Sequence, residues 1–386
     1  MRKNIYLMYA IEFFHGMVFY APIATLYRQA HSVSVFQITL IESISMALCV
    51  LLEIPWGIVA DKLGYRRTMV ICCGLDLVSK LIFWQADSFS DFLFERIILS
   101  IVITGVSGVD SAIVYLSCEK GKSQHTFGIL NSMSSLGLIV SSTLFSLLIK
   151  ENYKTAALFT VFSYGTAFML SFFLSEVRQN RSLAPVFFNL KPTDLAIFKD
   201  KKLLPFLLAV GLFEQTHQTV TVFLSQLRYE RAGMNSAAIG TVYTIMTVLA
   251  IIGTFSARVT KRTGECKAFM LFCIPGAVCC ALLAAVDSAV LSVMSILVLR
   301  VSHSFFAPLQ AEIQNRFVKT NNRATELSVN AMFTDCVGIV VNLIFGALSK
   351  SSLSITFLFG AIICTFSCLI LFRITKSGRQ NKARVV

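Results

Sequence analysis

Long apolar runs separated by short polar tracts recur from one end of this chain to the other. A helix rises 1.5 Å per residue and the hydrocarbon core of a bilayer is roughly 30 Å thick, so about 20 apolar residues cross it. Twelve runs meet that length, near 4–27, 34–58, 68–86, 92–117, 125–149, 153–175, 203–227, 236–258, 267–286, 290–314, 325–349 and 352–373. The runs are continuous rather than alternating, which predicts helices and not a barrel. The first begins directly after Arg2 and Lys3 and lacks a small-residue cleavage pattern, so it reads as a span. The longest hydrophilic tract, from Glu176 to Lys202, contains Pro185 and Pro192 and is too short for a domain. The pattern therefore predicts an all-α membrane protein of twelve transmembrane helices in two pseudo-symmetric six-helix bundles. The expected division is a bundle over 1–177, a linker over 178–202, and a bundle over 203–386 with a short tail.

Composition adds the solvent. Of 386 residues 55% are hydrophobic and 14% charged, against roughly 25% charged in soluble domains. A water-soluble fold of this size would have to leave too much of that surface wet. The net charge of +13 would suit a nucleic-acid binder only if the cations formed one patch. They sit instead in the tracts between spans: 25 Lys and Arg on the side of the two termini, 6 on the other. Positive charge stays inside, which predicts both termini in the cytoplasm of a cell-membrane protein and no nucleic-acid partner. The 11 cysteines show no CxxC, and read as small buried apolar residues rather than as ligands or disulfides.

The two halves echo one another. Gly57-Ile-Val-Ala-Asp61-Lys-Leu-Gly64-Tyr65-Arg66-Arg67 is followed 200 positions later by Ala257-Arg-Val-Thr-Lys261-Arg-Thr-Gly264-Glu265-Cys266-Lys267. Glu12-x-x-His15 is matched, at an offset of 202, by Glu214-x-x-His217. Internal duplication of this kind marks transporters built from structural repeats. The stretch Leu52 to Arg67 resembles the signature between the second and third helices of the major facilitator superfamily, G-x-x-A-D-[RK]-x-G-[RY]-[RK]. Asn322-Arg-Ala-Thr-Glu-Leu-Ser328 and Ser107-Gly-Val-Asp110-Ser-Ala-Ile-Val-Tyr115 are similar to shorter stretches of bacterial members. Two departures stand out: Ser100 takes the place of a glycine four residues after Arg96, and span five lacks the Gly-Pro of the antiporter signature. The resemblance implies a twelve-helix secondary transporter with a central cavity lined by the first helix of each half.

Physical chemistry gives the motif work. Gly64 permits the positive φ of a tight turn, and Gly57 allows close approach of a neighbouring helix. Asp61 suits the positive end of another helix, and Arg66 and Arg67 suit carboxylates of the other bundle. Together they are expected to latch a cytoplasmic gate; the plain alternative is a charged loop that only fixes topology. Ionisable residues inside a bilayer are costly and mark function by default. Glu12 with His15, and Glu214 with His217, lie one turn apart on one helix face. Burial favours the protonated carboxyl and a neighbouring imidazolium the ionised one. Such a pair can carry a proton, or simply form a satisfied intrahelical bond. Asp110, Arg300 and Asp335 are further candidates for substrate or proton coupling, while Asp76 and Lys80 read as a neutralising i,i+4 pair.

Other chemistries find little support. Glu-x-x-His from two helices occurs in di-iron bundles, but those sites need two more carboxylates from facing helices and a transporter cavity is wet, so no metal and no cofactor are expected. Gly121-Lys122-Ser123 resembles the end of a phosphate loop, yet Leu116 stands where its first glycine belongs. An enzyme is not expected. The expected partners are a small-molecule substrate, protons and the lipid bilayer, with the chain a monomer. Proton-coupled efflux of an amphipathic compound is the first expectation. A metabolite importer of the same fold, or a non-transporting sensor or assembly protein, are the alternatives.

Overall fold

The computed structural model describes residues 2–118, 123–177, 202–317 and 323–383, with every side chain in them except those of residues 54, 57, 58, 60, 61, 124, 323–325 and 377–383. Among the described residues all regular structure is helical. The helices are α1 (Arg2–Gly16), α2 (Ala24–Ala30), α3 (Val35–Leu63), α4 (Tyr65–Gln85), α5 (Phe89–Val106), α6 (Val109–Ser117), α7 (Ser123–Leu144) and α8 (Tyr153–Ser171). They continue with α9 (Leu203–Gln218), α10 (Ser225–Arg231), α11 (Ser236–Leu249), α12 (Ser256–Thr263), α13 (Glu265–Ala285), α14 (Ala289–Phe317), α15 (Arg323–Ser349) and α16 (Leu353–Ala383). Consecutive pieces join into longer rods (α1 with α2, α5 with α6, α9 with α10, α11 with α12), which makes twelve crossings, the number the apolar runs predict. Ten are long and apolar enough to span on composition alone. The exceptions, α8 and α9–α10, carry polar residues such as Thr160, Ser163 and Tyr164, and the run Glu214-Gln-Thr-His-Gln-Thr219.

The repeat is nearly rigid in number. The pairs α4 and α13, α5–α6 and α14, α7 and α15, and α8 and α16 all start 200 residues apart. Gly64 and Gly264 each join two helices as a single residue, with φ/ψ of 87/150° and 81/152°. A side chain would strain that backbone, which is why glycine returns at both. The interruptions were invisible to hydropathy. Gly108 (φ 83°) breaks the fourth crossing, and a π-helical turn at Thr219–Leu224 interrupts the seventh.

The chain divides into two compact units. Of the described residues, one holds those within 2–34, 44–177 and 235–247, and the other those within 35–43, 202–234 and 248–383. In the first, Met8, Ile11, Met69, Cys73, Ile113 and Ala167 form the centre. There α1 crosses α7 so closely that a Cβ on Gly16 would collide with the Ser134 carbonyl, and one on Gly137 with that of Phe13. Small residues matter here because lipid offers no hydrophobic drive for helix association, leaving packing to do it. In the second, Phe206, Phe213, Phe269, Phe306, Cys273 and Leu371 are buried together. Leu148, Phe162, Met169 and Val290 remain more than 60% exposed, as apolar residues facing acyl chains should. All 11 cysteines are free, and seven of them are buried.

Candidate functional site

In the first unit four charged side chains meet away from solvent. Glu95 of α5 lies 3.8 Å from Lys80 and 3.9 Å from Arg28 of α2. Lys80 is 3.7 Å from Asp76, one turn before it in α4, as the i,i+4 reading predicts. Each of the four is 7% exposed or less. Lys80 also stands 5.0 Å above the Tyr164 ring, and Arg28 lies beside Phe83 and Phe92. Two cations and two anions cancel, which is the condition for keeping them in a low-dielectric interior. Sequence reasoning reached only Asp76 and Lys80. Arg28 stands among the loop cations at the end of an apolar run, and Glu95 has no i,i+4 cation to mark it.

Glu12 and His15 share the face of α1 that was expected, but no hydrogen bond joins them among the described contacts. The His15 ring stacks on Tyr164 at 5.2 Å, and the Tyr164 hydroxyl donates to the His15 carbonyl at 2.8 Å. Among the described residues His15 Nε2 is buried without a hydrogen-bond partner. Glu12 is half-buried, within electrostatic reach of Asp110 and Asp76. Asp110 belongs to the first turn of α6, just after the left-handed Gly108, where its Oδ1 accepts from the Ser111 amide at 2.5 Å. The helix break thus turns a mid-span acid into one at a helix start, where a negative charge is favoured.

The second unit brings a candidate acid against an imidazole of another helix. Glu214 Oε2 lies 2.6 Å from His303 Nε2 of α14. On the other side, the His217 ring stacks on His303 at 3.7 Å with planes 6° apart. The expected partner of Glu214 was His217, one turn along α9. That reading is corrected: the imidazole in contact comes from a facing helix, and His217 supports it from behind. The Glu214 side chain is 34% exposed and that of His303 16%, whereas His217 is buried and its Nε2 has no hydrogen-bond partner among the described residues. Arg300 lies one turn before His303 in α14, and Asp335 is half-buried in α15. Nearby, Gln215, Thr219 and Asn342 form a chain of 3.2 Å hydrogen bonds that ends on the Thr39 carbonyl. The signal for His303 was available, as a lone imidazole in an apolar run. Among the described residues no three His, Cys, Asp or Glu gather to hold a metal ion.

Of the motif between α3 and α4, Gly64 adopts the positive φ the sequence asks for. Arg66 turns to its own unit: Nη2 donates to the Phe172 carbonyl at 2.9 Å, and the Arg66 amide donates to Glu176 at 3.4 Å. The expected carboxylate of the other bundle is thereby replaced by a backbone carbonyl at the end of α8. Arg67 is exposed. Gly57 and Asp61 lie in α3, but their side chains fall outside the description, as do those of Arg323, Ala324 and Thr325. Gly121, Lys122 and most of the 178–202 linker lie outside the described residues.

Against known proteins, a family model described as Major Facilitator Superfamily matches residues 5–341. No curated protein matches the chain. The fold is similar to the crystal structure of the nucleoside transporter NupG, with a TM-score of 0.81 at 16% identity, covering 97% of this chain and 99% of that one. It is also similar to a D-xylose–proton symporter (TM-score 0.76, 10% identity, 97% and 98% covered). A POT family transporter in complex with 5-aminolevulinic acid gives a TM-score of 0.77 at 13% identity, with 97% and 96% covered. At these identities the structures speak for the fold alone. The twelve crossings, the half-chain repeat, the glycine turn after α3 and the family match over most of the length agree: this chain belongs to the Major Facilitator Superfamily.

Proposed function

We propose that this chain is a proton-coupled secondary transporter that expels a small amphipathic solute by alternating access. The observation that carries the reading is the 2.6 Å Glu214–His303 contact, in the middle of a span and backed by His217. A carboxylate and an imidazole at that distance hold a hydrogen-bonded proton between them, the arrangement that proton coupling needs. Glu214 is open enough to exchange it, and the buried His217 holds the acceptor ring in place. Glu12 with Asp110 offers acidic groups for a cationic or neutral guest, with His15, Arg300 and Asp335 as further coupling candidates. Gly57, Asp61, Gly64, Arg66 and Arg67 form the gate on the side of the termini. On this reading bundles 1–177 and 203–386 alternate about linker 178–202 in the cell membrane, with both termini cytoplasmic and the chain acting as a monomer.

The similarity in fold to a D-xylose–proton symporter favours a second reading, in which solute and proton travel inward together. Everted vesicles separate the two. With an acid lumen, an antiporter accumulates a lipophilic cation such as ethidium and raises luminal pH; a symporter does neither. Glu214→Gln and His303→Gln are each expected to lower pH-driven transport at least tenfold at normal expression. If both variants keep the wild-type dependence on the gradient, the proton assignment is wrong.

A further inference from the structure

A helix start leaves about four N–H groups unpaired and carries roughly half a positive charge. Both single-glycine turns create such a start, at α4 and at α13, and neither glycine has a side chain to cap it. In the first unit the chain supplies its own anion. Both carboxylate oxygens of Glu176 come within 3.1–3.2 Å of where a Cβ on Gly64 would stand, and one of them accepts from the Arg66 amide. The second unit repeats the frame. Where the Arg66 guanidinium meets the Phe172 carbonyl, the Cys266 thiol meets that of Phe372 at 4.0 Å. The capping acid, however, is gone: 200 positions after Glu176 stands Lys376.

In its place a cavity of about 640 Å³ opens at the start of α13. Thr260, Lys261, Gly264, Lys267 and Arg316 line it. Thr260 is half-buried, and its hydroxyl oxygen is out of solvent and has no hydrogen-bond partner among the described residues. Two carboxylates also border the cavity, and both are already taken by the Arg316 guanidinium, Glu265 at 2.7 Å and Glu312 at 3.0 Å. Ile313, Phe317 and Ile374 complete the wall. Glu265 is the first residue of a membrane-spanning helix, so the cavity sits where hydrocarbon gives way to headgroups.

We propose that this cavity binds the phosphate of an anionic phospholipid headgroup, which takes the position that Glu176 fills in the other unit. Lys261 and Lys267 supply charge, the first-turn amides of α13 and the Thr260 hydroxyl supply donors, and the apolar wall meets the start of the acyl chains. Soluble phosphate has the same headgroup chemistry and is the competing source.

Native mass spectrometry of the purified full chain with phosphatidylglycerol, phosphatidylcholine or inorganic phosphate tests the proposal. Phosphatidylglycerol is expected to be retained preferentially and to raise the unfolding temperature. Lys376→Glu rebuilds the internal cap and is expected to weaken that retention about tenfold. Should Lys376→Glu fail to fold, the double variant Lys261→Gln/Lys267→Gln decides by the same loss. Equal retention of phosphatidylglycerol and phosphatidylcholine overturns the site, as does wild-type retention in a folded Lys376→Glu or in the double variant. Stabilisation by inorganic phosphate without any preference for phosphatidylglycerol overturns the lipid as its source.

Discussion

The two units share one helical plan and differ in where they put their charge. In the first, Arg28, Asp76, Lys80 and Glu95 form a closed, buried set. At the matching positions of the second stand Arg228, Gly276, Cys280 and Ser295. Only the arginine is kept. Arg228 remains buried but bonds Ser292, the Val286 carbonyl and the exposed Asp287 near the end of the crossing. Gly276 gives its space to the Phe213 ring, 3.0 Å from where a Cβ would be. Conversely, Glu214 and His217 keep their counterparts Glu12 and His15 at the offset of 202, but His303 does not, because isoleucine stands at both 101 and 103. The helices occur twice, but the buried charge set and the carboxylate–imidazole contact between helices each occur in one unit among the described residues. A self-neutralised set of four makes a structural interior; a half-open carboxylate against an imidazole makes a polar contact that stays within reach of solvent.

That contrast can be broken most severely at Glu95. Glu95→Ala removes the anion that Arg28 and Lys80 share in the interior and leaves Asp76 to face two cations, at an expected cost of about 3–5 kcal/mol. Ser295→Ala in the other unit should cost under about 1 kcal/mol. Thermal unfolding in detergent compares the two, and equal losses would mean the four charges do not act as a set. A milder break removes the turn glycines. Gly64→Ala and Gly264→Ala each force a side chain to positive φ, costing about 1–2 kcal/mol. Here the units should respond alike, and a loss at only one would deny the structural equivalence. The smallest effect is expected where the frame is held by different atoms. Arg66→Met removes a charged donor from the Phe172 carbonyl and should cost about 1–2 kcal/mol, against less than about 0.5 for Cys266→Ala.

The crossings were legible because apolar length is a one-residue-at-a-time property that the bilayer enforces. What hydropathy could not see depends on pairs. Arg28 ends an apolar run and therefore looks solvated, yet it is 5% exposed because Glu95, on another helix, neutralises it. Glu214 was matched with His217 since both lie on one face of α9. Side chains one turn apart leave their helix nearly parallel, with Cβ atoms about 5–6 Å apart, so a facing imidazole reaches the carboxylate more directly. Asp110 was read as mid-span because the break at Gly108 leaves hydropathy unchanged. The positive φ at Gly64 was accessible because a one-residue link between helices has few other solutions.

The buried set of four also bears on how the chain enters its membrane. A lone charge at the centre of a helix opposes insertion by about 2.5–3.5 kcal/mol, and Asp76, Lys80 and Glu95 sit on helices made one after the other. Only three residues separate α4 from α5, so the two can leave the ribosome and enter lipid as a hairpin whose charges already face each other. Biogenesis of this half is therefore a matter of paired entry. A pause inserted between α4 and α5 should send more of the newly made chain to quality-control proteolysis than the same pause between α13 and α14.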